Sequence, residues 1–286
     1  MNRKLIKGTL AIVVVGVFLV FSYPRFLKSW LIKGRDLILW PIYNTDMGHT
    51  LVGNLKEWGI FDQYHHVKQL RGEYALELYQ MMKDIHDVCE VTHVTYWADS
   101  GTILGALRHK GIIPWDDDLD ITIPVKDREK FMKYSLPILE KLGYKFKEKA
   151  LGFKLYSPQE KFKSLSNENS PSCDVFVAVE KNGRLATGWE HDIAVEDLLP
   201  LRLHDFGSMK IWINNNPMPY LVAMYGENCL RQAIRGYDHL SVKSRQSSAI
   251  PFDVSGERAK PAQPIEPLVD NKELVVSLAE KLGQTE

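Results

Sequence analysis

The sequence predicts an α/β (α+β) protein carried behind one N-terminal transmembrane helix. Three observations lead there. An uncharged run fills Gly8 to Tyr23, apolar residues recur at three- and four-residue intervals up to Glu90, and short strand and helix signals alternate between Val94 and Val125. The 286 residues are 45% hydrophobic and carry 36 basic against 36 acidic side chains, which excludes wholesale disorder and is enough chain for one or two domains. A formal charge of zero gives no broad basic field, so nucleic acid held by bulk electrostatics is not expected as a partner. Cys89, Cys173 and Cys229 lie far apart without a CxxC pair, so neither a zinc ribbon nor a disulfide scaffold is implied.

Taken in order, residues 1–7 form a short basic tail and 8–24 a transmembrane signal anchor. Leu5 and Ile6, with Lys7 snorkelling outward, lengthen the apolar run toward the roughly 20 residues a span needs. Phe21-Ser22-Tyr23-Pro24-Arg25 offers no small-x-small cleavage site, so the anchor is expected to stay uncleaved. Cations flank both sides, and charge bias does not set the orientation. Residues 25–61 are expected to form a stem, and residues 62–250 the main domain. Leu70, Tyr74, Leu78, Met81, Met82, Ile85 and Val88 predict a long amphipathic helix from about Asp62 to Glu90. A strand over Val94–Ala98, a helix over Ser100–Arg108 and a strand over Leu119–Val125 follow. A helix near Asp127–Leu142, broken around Pro137, leads to strands near 144–148 and 152–156. Ser164–Ser172 reads as a loop and Cys173–Glu180 as a strong strand. Asn182-Gly183 is a hairpin turn signal. A short strand near 210–213 and a helix over Met218–Tyr225 complete the domain. Residues 251–286 are a loose linker and an amphipathic terminal helix, expected to lie outside the main domain.

The chemistry concentrates in YWADSGTILGALRHKGIIPWDDDLDITI, Tyr96 to Ile123. Asp116, Asp118 and Asp120 are spaced i, i+2, i+4 where a strand begins, so an extended backbone points them to one side and Asp117 and Leu119 to the other. Same-side neighbours lie about 7 Å apart and repel by roughly 2 kcal/mol per pair at an effective dielectric near 20, a load a divalent cation would relieve. All-oxygen ligands suit Mg²⁺ or Mn²⁺ over zinc or copper. An EF-hand is excluded, because Ile121 stands at the loop's glycine position and Asp127 at its terminal glutamate. Asp174, at the head of CDVFVAVE, supplies a further carboxylate if that strand neighbours the first. Ser100, Gly101 and Thr102 open a helix whose first-turn N–H groups can receive an anion, with Gly101 admitting a phosphate close to the main chain. Arg108 adds a bidentate phosphate donor, although a cation at a helix C-terminus also has a dipole role. His109 and Lys110 fit either a phosphate contact or a solvated loop, and Trp97 and Trp115 either a stacking surface or the core.

The segment SGTILGALRHKGIIPWDDDLDI resembles the signature of the LicD/fukutin family: a glycine-bearing turn, an arginine-histidine step and a Pro-Trp-Asp-x-Asp-x-Asp run into a strand. CDVFVAVE resembles that family's later Asp-bearing strand, and LLPLRLHDFGSMKIWINNNPMPYLVAMYGE its closing Leu-x-x-x-Tyr-Gly pattern, so the likeness covers about residues 70 to 230. The resemblance implies a nucleotidyltransferase-like mixed sheet flanked by helices. It also implies transfer of a phosphate-linked group, phosphocholine or ribitol phosphate, from a CDP-linked donor to a glycan hydroxyl. Carried over, Asp118, Asp120 and Asp174 become the metal ligands and Asp116 a further catalytic carboxylate, while Ser100, Gly101, Thr102 and Arg108 serve the donor phosphates. Fukutin-type relatives are single-span proteins of the secretory pathway, which implies a type II Golgi membrane protein with a luminal catalytic domain. Two other functions are compatible with these residues: a UDP-sugar glycosyltransferase using its DxD, and a catalytically idle, membrane-tethered glycan-binding relative.

Overall fold

The computed structural model describes residues 69–157, 170–186, 192–233 and 252–284. The anchor and stem expected from the sequence lie outside these residues, as does most of the Ser164–Ser172 segment. Among the described residues no helix is long and apolar enough to cross a membrane.

Helix α1 (Gly72–Val91) starts where the apolar period becomes regular, and it buries Ala75, Leu78, Met81, Met82, Ile85 and Val88 along one side. Its N-terminus has no side-chain cap, so packing rather than capping holds it. Two buried acids on this helix are satisfied: Glu77 accepts from the Ser157 hydroxyl at 2.7 Å, and Asp84 from Tyr144 at 2.7 Å and Asn271 at 2.9 Å.

Strand β1 (Trp97–Ala98) is shorter than expected and pairs antiparallel with β2 (Asp118–Pro124). Between them runs α2 (Ser100–His109), which ends at Lys110 in the left-handed conformation. The predicted helix after β2 is a composite: a 3-10 turn (Val125–Asp127), α3 (Arg128–Lys130), a π segment (Phe131–Ser135) and α4 (Leu136–Lys141). Pro137, which cannot donate a helix bond, stands just after the π segment, where the regular i→i−4 ladder is already interrupted. Strands β3 (Lys145–Lys149), β4 (Gly152–Tyr156) and β5 (Ser172–Lys181) follow. Asn182 and Gly183, both at positive φ, turn the chain into β6 (Arg184–Ala186), which pairs with β7 (Ile193–Ala194).

The main sheet runs β1-β2-β5-β4-β3, with β6 and β7 extending the far end of β5. β2 and β5 are parallel, and the other neighbours in that order are antiparallel. Leu119, Ile121 and Ile123 of β2 are buried on the core face, and Asp118 and Asp120 occupy the alternate face, half-open to solvent. A short helix, α5 (Val195–Leu198), precedes a hairpin of β8 (Arg202–Phe206) and β9 (Met209–Ile213). Helix α6 (Met218–Tyr225) has the bounds the sequence predicts.

The C-terminal segment departs from expectation. Strand β10 (Gln232–Ala233) pairs with β11 (Phe252–Asp253), and Val275 and Ala279 of α7 (Lys272–Lys281) are buried in the same core as α1. Gln80 and Asp84 of α1 bond Val269 and Asn271, so the segment closes the domain rather than trailing from it. Cys89, Cys173 and Cys229 are all buried free thiols.

Candidate active site

The site face belongs to β2, β5 and β4 together with the start of α2. Parallel pairing sets Asp120 directly opposite Asp174, and antiparallel pairing sets Asp174 opposite Lys154. The adjacency of the two acidic strands, which the sequence left open, is therefore met in register. The lysine is new: Lys154 Nζ lies 2.6 Å from Asp174 Oδ2. Burial works against its charge, but Asp174, then Asp118 and Asp120, outweigh it and hold the ammonium above its ordinary pKa.

The tightest acidic group differs from the expected one. Asp116, Asp117 and Asp118 each offer an oxygen, and these lie within 4.8 Å of one another. An extended backbone was expected to turn Asp117 away. Pairing begins only at Asp118, and the Asp116 N–H bonds Ile113 O at 2.9 Å in a turn, so alternation does not yet apply to Asp116 and Asp117. Tyr74 of α1 donates to the Asp117 carbonyl at 2.9 Å and fixes this turn. Asp120 stands next to the group. Desolvation, then Asp118, Asp116, Asp99 and Asp174, push its carboxyl well above the usual range.

The helix start is more fully used than the sequence suggested. Asp99 caps α2: its side chain accepts from Ser100 N–H at 2.7 Å, and its carbonyl accepts from Thr102 N–H at 3.0 Å. Tyr220 and Thr122 also donate their hydroxyls to the Asp99 carboxylate, which is 4% exposed. The Thr102 hydroxyl accepts from Asp120 N–H at 2.8 Å and locks α2 to β2 beside the acids. A methyl group at Gly101 would collide with the Asp116 carboxylate, so the missing side chain makes room for that aspartate. Arg108 donates to the carbonyls of Cys229 at 2.9 Å and Gln232 at 3.2 Å, tying the end of α2 to the chain after α6. Burial lowers its guanidinium to about 10. His109 is buried, and desolvation with the Arg108 charge lowers it to about 3, so it is neutral and brings no cation to the site. Trp97 belongs to the core, and Trp115 packs edge-on against His109 and Phe252. Tyr225 faces the acids, its phenol raised by burial and by Asp120, Asp116 and Asp99.

Sequence reasoning missed Lys154, Asp99, Tyr220 and Tyr225 as site residues. Lys154 carried no signal beyond its place in a strand. Asp99 was visible as a cap residue before the helix, and Tyr225 as the tyrosine of the closing pattern.

A domain with a mixed sheet and clustered aspartates at the head of two parallel strands is what a family model described as "LicD/FKTN/FKRP, nucleotidyltransferase domain" matches over residues 93–216. Uncharacterized protein RP689 of Rickettsia prowazekii is 34% identical over 220 residues, 73% of this chain and 77% of that protein. The chain belongs to the LicD/FKTN/FKRP family. Lipopolysaccharide cholinephosphotransferase LicD of Haemophilus influenzae is 37% identical over 21% of this chain and 23% of its own length. Ribitol 5-phosphate transferase FKRP of Homo sapiens is 50% identical over 14% of this chain and 8% of its own length. Among solved structures, ANT(2")-Ia in complex with adenylyl-2"-tobramycin is 15% identical over 47% of this chain and 67% of that chain, at a TM-score of 0.33. The lincosamide antibiotic adenylyltransferase LnuA is 17% identical over 48% and 78%, at a TM-score of 0.30.

Proposed function

We propose that this chain is a divalent-metal-dependent transferase that moves a phosphate-linked group, such as phosphocholine or ribitol phosphate, from a CDP-linked donor to a glycan hydroxyl. The observation that carries the reading is the meeting of Asp116, Asp117 and Asp118, with ligand oxygens within 4.8 Å, beside the Asp120–Asp174 pair. Three hard oxygen donors at that spacing fit Mg²⁺ or Mn²⁺ after small side-chain adjustments. Bound there, the ion would neutralise charge on the donor diphosphate. Membership in a family that includes a cholinephosphotransferase and a ribitol 5-phosphate transferase supports transfer of a phosphate-linked group.

The residues of the chain divide the remaining work. Asp120, in register with Asp174 beside the close carboxylate group and outside its three ligands, takes the acceptor's hydroxyl proton. The acceptor oxygen forms a bond to the transferred phosphorus, the phosphorus–oxygen bond to the nucleotide breaks, and CMP leaves. Asp174, expected as a metal ligand, is ion-paired with Lys154, which suits it better to holding charge in place. Arg108 and Thr102 fix the walls of the site, since their polar atoms bond the backbone. The membrane anchor over residues 8–24 and the Golgi location are proposed on the apolar run and the fukutin resemblance.

A panel of CDP-choline, CDP-ribitol and UDP-sugars with Mn²⁺ and candidate glycans, read by product mass, tests the reading. CMP release with a phosphate-linked adduct is expected. UDP release with a sugar adduct, or no turnover with any donor, would overturn it.

A further inference from the structure

The sheet continues two strands beyond the acids, and register decides what its site face carries there. From Asp120 the row of opposed residues passes Asp174 and Lys154 and ends on Lys147 of the edge strand β3. The row from Asp118 ends on Lys145, and Lys149 lies two residues past Lys147 on the same face. These three lysines are exposed and stand about 7 Å apart along β3, and three inter-strand steps set them about 14 Å from the acids. Among the described residues none of the three pairs with a carboxylate, whereas Lys154 is taken by Asp174. The other face of β3 holds Phe146, packed on the core, and Glu148, paired with Arg128. The uncompensated charge is therefore confined to the face of the site. Because the whole chain carries no net charge, the strip is a local field. Its range at physiological salt is about 8 Å, too short to act on a diphosphate at the acids and long enough to hold an anion lying beside β3. Charge on an edge strand also keeps other strands from pairing, but either sign serves that purpose.

We propose that Lys145, Lys147 and Lys149 form a binding strip for the acceptor, which is accordingly a glycan chain with anionic groups of its own, set back from the reacting hydroxyl by about the width of the sheet face. The proposal rests on the transferase reading above and names the class of its acceptor. Ammonium groups hold anions as point charges without a fixed fork, so the strip selects for charge and spacing rather than for one headgroup. An anionic membrane would draw on the same lysines; the acceptor is favoured because the free charge stops at the face that carries the acids.

The probe is a fluorescent poly(glycerol phosphate) oligomer, with a dextran oligomer of equal length as the uncharged control, titrated into the purified full chain without metal or donor. The phosphate oligomer should bind and the dextran should not. Three lysine contacts predict that the logarithm of the affinity falls with the logarithm of the salt concentration at a slope of roughly −2. Lys145→Glu, Lys147→Glu and Lys149→Glu combined should weaken binding by on the order of tenfold or more with an unchanged circular dichroism spectrum. Glutamates keep the edge charged, so the loss reports the sign of the strip. Equal affinity in the two proteins, equal affinity for dextran, or no binding of the oligomer by the wild type would overturn the proposal. Lysine-dependent binding to phosphatidylserine vesicles by a wild type that ignores the oligomer would also overturn it and give the strip to a membrane. If the triple variant does not fold, Lys147→Gln decides: a salt slope shallower by roughly 0.7 supports the proposal and an unchanged slope sinks it. Transfer to a glycan with equal oligomer binding by wild type and triple variant would end this proposal alone. No turnover with any donor would end the transferase reading and, with it, the acceptor named here.

Discussion

Gly101→Ala separates the chemistry of the site from the stability of the fold. The new methyl group would overlap the Asp116 carboxylate, which must withdraw by about 1 Å to regain ordinary contact. For folding the consequences nearly cancel. Alanine is favoured over glycine in a helix by about 1 kcal/mol, and an off-rotamer aspartate costs about 0.5–1.5 kcal/mol. For ion binding they do not. At an effective dielectric near 20, a unit charge and a dication attract by roughly 8 kcal/mol at about 4 Å and roughly 6.6 kcal/mol at about 5 Å. The displacement therefore weakens binding by about 1.7 kcal/mol, on the order of fifteenfold to twentyfold. The expected outcome is a urea unfolding midpoint close to wild type together with a Mn²⁺ affinity at least tenfold weaker by direct titration, and transfer reduced in step. Unchanged Mn²⁺ affinity with unchanged transfer would show that the room above Gly101 does not serve the acidic cluster.

Three further outcomes are expected. Tyr220→Phe removes one of the donors to the buried Asp99 carboxylate and should lower stability by about 1.5–3 kcal/mol in urea unfolding; an unmoved midpoint would mean that this bond contributes nothing. Because the folded Asp120 carboxyl lies well above its unfolded value, the native state binds the extra proton, and this contribution to stability is present at low pH and lost as pH rises through the folded value. The metal-free protein should accordingly melt at a lower temperature as pH rises above the ordinary carboxylate range, and Asp120→Asn should flatten that slope while abolishing transfer; an equally steep slope in the variant would point to another group. Arg108→Lys cannot reach both the Cys229 and Gln232 carbonyls with a planar fork and should cost about 1–3 kcal/mol in stability, with the wild-type midpoint as the refuting result.

Elements whose signal is local were legible in the chain. The buried side of α1, the bounds of α6, the Asn182-Gly183 turn and the alternation of β2 follow from periodicity and turn chemistry over a few residues. Strand β8 was missed, because three of its five residues are exposed, Leu203 among them, leaving no clean apolar alternation. The terminal segment was misplaced for a related reason. An amphipathic helix states that one side needs burial and not which surface supplies it, and here α1 supplies it.

The same division holds at the site. The run of aspartates after Trp115, the glycine at 101 and the later acid at 174 are properties of the sequence, and with the longer motif around them they sufficed to mark the LicD/fukutin family. Which carboxylates meet was decided only by tertiary structure: the turn at Asp116 brings in Asp117, and sheet register sets Asp120 against Asp174 and Asp174 against Lys154. Charge type and spacing are written along the chain, but distances between strands come from pairing, and pairing is fixed by the burial of Leu119, Ile121, Cys173 and Val175 on the opposite face of the sheet.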